Sequence, residues 1–138
     1  AINLDLLGER TIKIDCDVIS ADGGTRTASI IGGYVSLVKA INKHKQDFNI
    51  SKSIIVNQIA AISVGVVKST PCLDLNYIED SSAEVDCNVV MASDGQFIEF
   101  QATGEEAKFS KQTISNFIDL VEGAMPAIFE KQKLAIEQ

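Results

Sequence analysis

Residues 59–67 have the sequence Ile59-Ala-Ala-Ile-Ser-Val-Gly-Val-Val67, and this stretch decides the fold. It is rich in β-branched residues and apolar at successive positions, so an extended segment here would be apolar on both faces. This pattern predicts a central strand. The following segment Cys72–Tyr77 is predicted to pair with it. Two more strands are predicted over Val85–Ala92 and Phe97–Ala102, joined by the hairpin turn Ser93-Asp94-Gly95.

Helical patterns flank these strands. Apolar residues recur at helical spacing over Thr25–Lys45, and a second helix is predicted from Ser110, its N-cap, onward. Residues Thr11–Ile19 alternate apolar and polar side chains, which predicts a strand with one solvated face. Residues Ala1–Leu7 resemble the tail of a helix that starts without a cap and ends at Gly8. The order predicts an α+β fold with helices packed on one face of a mostly antiparallel sheet.

Composition limits the class of protein. With 138 residues and 46% hydrophobic composition, residues 1–138 are expected to form a single domain. The net charge of −7 argues against a freestanding nucleic-acid binder, which needs clustered lysine and arginine. No apolar run approaches the length of a membrane span, so no membrane association is predicted. Cys16, Cys72 and Cys87 are odd in number and form no C-x-x-C pair, which predicts small core residues in a reducing, cytoplasmic compartment.

The stretch Asp22-Gly-Gly-Thr-Arg-Thr27 is a candidate anion site. Its glycines allow a sharp turn close to a ligand, and the amides that open the next helix lie at the positive end of the helix dipole. Arg26 adds a planar, charged fork that matches phosphate. The alternative is an ordinary turn with Thr25 as N-cap. The anion site is favoured because the chain has only two arginines and one lies here.

A carboxylate cluster is the second candidate site. Four acidic residues lie within residues 79–86, and carboxylates so close together repel one another unless a cation lies among them. Oxygen ligands favour Mg²⁺ or Mn²⁺, with Asp80 and Asp86 as the candidate pair. The alternative is a solvated strand edge whose charges prevent aggregation. A phosphate site and a metal-binding pair together indicate chemistry at a phosphodiester or phosphoryl group.

Three runs of the chain closely resemble the ribonuclease PH family: residues 9–30, Ala61–Gly65 and Glu79–Met91. The resemblance implies the ribonuclease PH fold, similar to domain 2 of ribosomal protein S5, incomplete at its N-terminus. It implies a phosphorolytic exoribonuclease that trims the 3′ ends of transfer RNA in the 3′-to-5′ direction. Inorganic phosphate would be the nucleophile, and nucleoside diphosphates would be released.

The resemblance also implies roles for individual residues. The residues matched to binding of the attacking phosphate are Gly24, Thr25 and Arg26. Asp80 and Asp86 match the two catalytic aspartates of the family, which hold Mg²⁺ (or Mn²⁺) or assist the leaving oxygen as an acid. Glu84 and Asn88 are expected to give supporting hydrogen bonds.

The implied partners are tRNA and other RNA 3′ ends, together with further copies of the same subunit in a hexameric ring of dimers. The family is longer at its N-terminus and has a second phosphate-binding arginine there. This chain is therefore expected to be the C-terminal portion and to be inactive alone. Two alternatives stay open: a non-catalytic RNA-binding or scaffold subunit of such a ring, and a phosphate or nucleotide sensor.

Overall fold

A computed structural model describes residues 1–46, 53–105 and 107–138 of the chain. The strands are β1 (Ile59–Val67), β2 (Thr70–Leu73), β3 (Val85–Ala92) and β4 (Phe97–Gly104). The helices are α1 (Leu4–Leu7), α2 (Thr25–His44), α3 (Tyr77–Asp80) and α4 (Lys111–Glu137). The strands form one antiparallel sheet in the order β2-β1-β3-β4. The predicted α+β class with an antiparallel sheet is confirmed.

Strand β1 lies in the interior of the sheet, as predicted. Its residues 60–65 are all buried. It pairs with β3 from Ile59 opposite Ala92 to Val66 opposite Val85, whereas β2 covers only the end that begins at Val64. A strand that is apolar at successive positions needs cover on both faces, and the structure supplies it.

The two faces of the sheet are covered by different helices. Cys87 and Val89 of β3 point into a core that includes Phe117 of α4. Side chains alternate along a strand, so Glu99, which pairs with Val90, lies on the other face. At the start of α2, Arg26 contacts Glu99, so α2 begins over this second face. The prediction of helices on one face therefore accounts for only one of the two layers. Helices lie over both faces because β1 has apolar residues to bury on both sides.

The long helices follow the predicted pattern. Ser110 is the N-cap of α4, and its Oγ accepts a hydrogen bond from the Thr113 N–H at 3.1 Å. The buried residues of α4 include Phe117, Val121 and Met125, and the helix continues through Pro126. The buried residues of α2 are Thr27, Tyr34, Leu37, Val38 and Ile41. Neither these helices nor the two short ones are long and apolar enough to span a bilayer, in the part of the chain that the structure describes.

The strand predicted over Thr11–Ile19 does not form. Within the described residues this segment pairs with no strand, although its sequence alternates. It lies along α2 instead, with the Cys16 Sγ 3.7 Å from the carbonyl oxygen of Ser29. Its apolar side chains stay exposed, and that of Ile19 is 96% accessible. A period of two is necessary for a half-buried strand but not sufficient, because the strand also needs a partner to pair with.

Two other predicted elements differ. Strand β2 ends at Leu73 rather than Tyr77, because Asp74 has a left-handed φ of 58° that an extended strand cannot continue through. Helix α1 is a single turn with its own N-cap, since the Asn3 Oδ1 accepts from the Leu6 N–H at 3.1 Å. The expectation of an uncapped helix tail is therefore wrong.

Only one of the three free cysteines behaves as a core residue. Cys87 is fully buried, and burial raises the pKa of its thiol to about 12. This thiol is therefore unreactive at neutral pH. Cys16 is exposed and Cys72 is partly exposed, so the expectation of small core residues fails for them.

Gln132 of α4 joins three elements at the open end of β1. It is 1% exposed, and its Nε2 donates to the carbonyl oxygens of Ile31 at 3.2 Å and Ile59 at 3.0 Å. Its Oε1 accepts from Gln58 Nε2 at 2.8 Å. The amide thus satisfies backbone groups at a position where β1 has a strand neighbour on its β3 side but is not covered by β2.

We predict that Gln132→Ala lowers the free energy of unfolding by about 2 to 3 kcal/mol, because it leaves buried polar groups unpaired and opens a cavity. Urea denaturation monitored by circular dichroism would measure the change. Lys131→Ala is the matched control, because Lys131 is exposed one position away on the same helix. Equal effects of the two substitutions would contradict this role for Gln132.

Candidate functional site

The glycine turn before α2 packs against the backbone that leads into α3. Gly23 and Gly24 have left-handed φ angles of 80° and 57°. A Cβ atom at Gly23 would lie 2.5 Å from the Leu75 carbonyl oxygen and 2.9 Å from the Tyr77 nitrogen. The Asp22 Oδ1 accepts from the Tyr77 N–H at 3.2 Å. Only glycine permits both this backbone conformation and this close approach.

Helix α2 starts without a side-chain cap. Its N-cap is Gly24 rather than Thr25, so the interpretation of Thr25 as an ordinary cap is wrong. Thr25 is instead exposed at the first helical position. The Thr27 hydroxyl donates to the Gly24 carbonyl at 2.8 Å, which fixes the turn but satisfies no first-turn amide. The positive end of the dipole of a 20-residue helix is thus left open to a ligand.

Arg26 is held by an acidic residue that was not predicted from the sequence. Its Nη2 donates to the Glu99 Oε2 at 2.8 Å, and the two side chains are 49% and 38% exposed. This hydrogen bond raises the pKa of Arg26 further above its ordinary value. The two residues are 73 positions apart, and only the strand register brings Glu99 to this face. No local sequence signal marks it.

The negative charge of Asp80 acts on the carboxyl of Asp86. Asp80 is the last residue of α3, and Asp86 lies on β3 on the face that carries Glu99. Burial raises the pKa of Asp86, and the negative charges of Asp80 and Glu105 raise it further. Its Oδ1 is buried and has no hydrogen-bond partner among the described residues. The carboxyl of Asp86 is therefore incompletely satisfied.

The expected supporting residues point in different directions. The Asn88 Nδ2 donates to the Asp86 Oδ2 at a long 3.5 Å, so Asn88 contacts the candidate site directly. The Glu84 Oε1 accepts from the Ser69 N–H at 2.8 Å. Glu84 therefore stabilises the turn between β1 and β2 instead of Asp86.

Helix α3 joins the two candidate sites. Its first residue, Tyr77, bonds to Asp22 of the glycine turn, and its last residue is Asp80, about 5 Å along a helix axis at 1.5 Å per residue. Glu99 pairs with Val90, which is four residues from Asp86 and thus about 13 Å along the strand. The structure therefore places Asp86 and Glu99, the partner of Arg26, on one face of the sheet.

The donor set around Asp86 is compatible with a divalent cation. An unpartnered, buried carboxylate oxygen beside another carboxylate is stabilised when a cation neutralises both. Among the described residues, no group of three or more His, Cys, Asp or Glu side chains is arranged as a metal site. Mg²⁺ commonly uses one or two carboxylates and completes its shell with water and substrate phosphate. Asp80 and Asp86 fit that arrangement.

Sequence comparison finds similarity to known exoribonucleases. Residues 57–121 match the model of the 3′ exoribonuclease family, domain 2. The chain is 53% identical over 133 residues to ribonuclease PH of Bacillus pumilus (strain SAFR-032), covering 96% of this chain and 55% of the relative. It is 52% identical over 136 residues to ribonuclease PH of Bacillus mycoides (strain KBAB4), covering 98% and 56%. The resemblance to the C-terminal portion of ribonuclease PH is confirmed, and the chain spans about half the length of these curated relatives.

Solved structures share the fold at low sequence identity. Rice (Oryza sativa) Rrp46 superposes with a TM-score of 0.66 at 16% identity, covering 87% of this chain and 51% of that chain. A chain of an archaeal exosome core superposes with a TM-score of 0.61 at 14% identity, covering 83% and 47%. These similarities confirm the predicted ribonuclease PH-like fold.

We predict that Asp86→Asn raises the urea midpoint of unfolding at pH 7. The pKa of Asp86 is raised in the folded state, so the folded protein binds its proton more tightly than the unfolded chain. The stability from this group is complete below its ordinary pKa and is lost as the pH rises through the folded pKa. An uncharged amide avoids that loss, so the difference between variant and wild type should vanish near pH 3.

Asp119→Asn is the control, because Asp119 is exposed on α4 and its substitution should leave the urea midpoint unchanged. Asp80→Asn should lower the pKa of Asp86, measured by carboxyl carbon nuclear magnetic resonance, since it removes a like charge. An unchanged Asp86 titration in this variant would contradict the coupling.

Proposed function

We propose that the full-length protein is a phosphate-dependent exoribonuclease that trims tRNA and other RNA 3′ ends in the 3′-to-5′ direction and releases nucleoside diphosphates. The observation that carries this proposal is the placement of Arg26 and the Asp80–Asp86 pair over one face of the sheet, joined through α3 and the glycine turn. Similarity to ribonuclease PH supports it.

The geometry suits an attack of one anion on another. Gly24, Thr25 and Arg26 would hold inorganic phosphate through the open helix terminus and the guanidinium. A phosphate oxygen forms a bond to the terminal phosphorus of the RNA, and the bond to the 3′ oxygen of the preceding nucleotide breaks. Fixing both anions lowers the entropic cost of this step. The positive charge of the groups that would hold them screens their repulsion.

The carboxylates would act at the leaving oxygen. Asp80 and Asp86 would hold Mg²⁺ or Mn²⁺, which supplies positive charge for the phosphodiester and its leaving group. The alternative role needs no cation: burial raises the pKa of Asp86 toward the protonated form, so its carboxyl would instead donate a proton to the 3′ oxygen. The Asp86 Oδ1 is buried and has no hydrogen-bond partner among the described residues, so binding a cation or a proton would stabilise it.

The proposed partners follow from the charge and from the relatives. A chain with net charge −7 needs basic residues from elsewhere to hold RNA, and we propose that these come from the remainder of the full-length protein and from neighbouring subunits of a hexameric ring of dimers. The compartment of this activity would be the cytoplasm. The present chain alone would be inactive, because it spans about half the length of its relatives.

The second candidate is a non-catalytic RNA-binding or scaffold subunit of a ring. The fold similarity to a chain of an archaeal exosome core favours it. The unsatisfied carboxylate argues against it, because a scaffold gains nothing from an unpaired charge in a buried position.

We predict that the full-length protein releases nucleoside diphosphates from a 3′-extended tRNA in the presence of phosphate. Arg26→Ala should lower kcat/KM by about 100-fold or more, because transition-state charge loses its fixed partner. Arg26→Lys should lower kcat/KM by about tenfold, because lysine keeps the positive charge but cannot make the two-point contact of a guanidinium. Chromatography of the nucleotides released would measure this.

Retained folding of both variants, checked by circular dichroism, is the control. RNA binding without nucleotide release by the wild type would support the scaffold subunit instead. Phosphate binding with no RNA turnover would support a sensor. The present chain, assayed alongside, should show little or no release, and robust turnover by it would contradict the proposed dependence on the remainder of the protein.

A further inference from the structure

The ion pair between Arg26 and Glu99 uses a small part of the guanidinium. A guanidinium has five N–H donors, and the contact to Glu99 involves Nη2 alone. No other hydrogen bond to the Arg26 side chain is formed by the described residues. Two-point binding of phosphate needs two neighbouring donors, so one complete edge of the guanidinium is still available.

The two carboxylate oxygens of Glu99 have different surroundings. It lies within β4, paired with Val90 beside the irregularity between Val90 and Met91. Its Oε1 is buried without a hydrogen-bond partner in the described part of the chain, while its Oε2 accepts from Arg26. An unsatisfied carboxylate oxygen is costly, so stability alone does not account for the position of this side chain.

An arginine side chain without such an anchor samples many rotamers. Arg26 is 49% exposed and starts from the second residue of α2, so packing does not fix its direction. Ordering a long side chain during binding costs conformational free energy. A contact that orders the side chain before binding removes this cost from the binding step. The anchor therefore acts on the binding of the anion, and not on chemistry after binding.

We propose that Glu99 is a positioning residue for phosphate, which holds the Arg26 guanidinium by one nitrogen and directs its free edge toward the anion at the start of α2. This inference rests on the proposed function, because phosphate must be the ligand of Arg26. Repulsion between the Glu99 carboxylate and phosphate lowers the affinity for phosphate, whereas positioning of Arg26 raises it. The experiment below measures which effect is larger.

The test uses the full-length protein with Glu99→Gln and Glu99→Ala. We expect Glu99→Gln to raise the KM for inorganic phosphate about three- to fivefold, with kcat at saturating phosphate unchanged. Glu99→Ala should raise it at least as much, because the amide of glutamine still accepts a hydrogen bond from Nη2. Calorimetric titration with inorganic phosphate alone should give the same ratio of dissociation constants.

A double-mutant cycle with Arg26→Ala separates positioning from general damage. In that background Glu99→Gln should change phosphate affinity less than about 1.5-fold, since the residue that it positions is gone. Glu130→Gln is the matched control, because Glu130 forms an exposed ion pair with Lys133 on α4, away from the site. It should leave both constants unchanged.

Two results would overturn the inference while the proposed function stands: unchanged or tighter phosphate binding by Glu99→Gln, and an equal effect of Glu99→Gln with and without Arg26. A loss of kcat with no change in the KM for phosphate would also overturn it. If the wild-type protein binds no inorganic phosphate, the proposed function fails and the inference fails with it.

Discussion

Burial of β1 on both faces is the constraint on which the rest of the structure depends. Each strand that pairs with β1 satisfies its backbone, but its side chains need a separate layer on each side. Helix α4 supplies one layer and the start of α2 supplies part of the other. This second layer brings Arg26 onto the face that carries Asp86. The position of the candidate site is thus a consequence of how the core is covered.

The contact between the glycine turn and α3 then fixes the two halves of the site relative to each other. Gly23 leaves no room for a side chain against Leu75 and Tyr77, and Asp22 bonds to the same backbone. A shift of the turn therefore moves α3, and Asp80 moves with it. The residues proposed to bind phosphate and one candidate carboxylate belong to a single packed unit, although they are far apart in sequence.

Much of this arrangement could be predicted from the sequence, because the decisive signals are local. The boundaries of β1 and the cap at Ser110 follow from apolar runs and turn residues, which act over a few positions. The failed strand over Thr11–Ile19 and the missed Glu99 have the opposite character. The first depends on whether a partner strand is present, and the second depends on register between β3 and β4. Neither feature has a signal in the sequence close to the residues concerned.

The unpaired segment Thr11–Ile19 also bears on how the chain behaves in concentrated solution. Exposed apolar side chains at alternate positions, next to backbone groups that pair with no strand in the described part of the chain, form a template to which another chain can add. The charged residues between them, Lys13, Asp15 and Asp17, oppose stacking of identical copies. The tendency of this segment to associate with another chain therefore depends on a balance within nine residues, and it should vary with ionic strength because salt screens the protective charges.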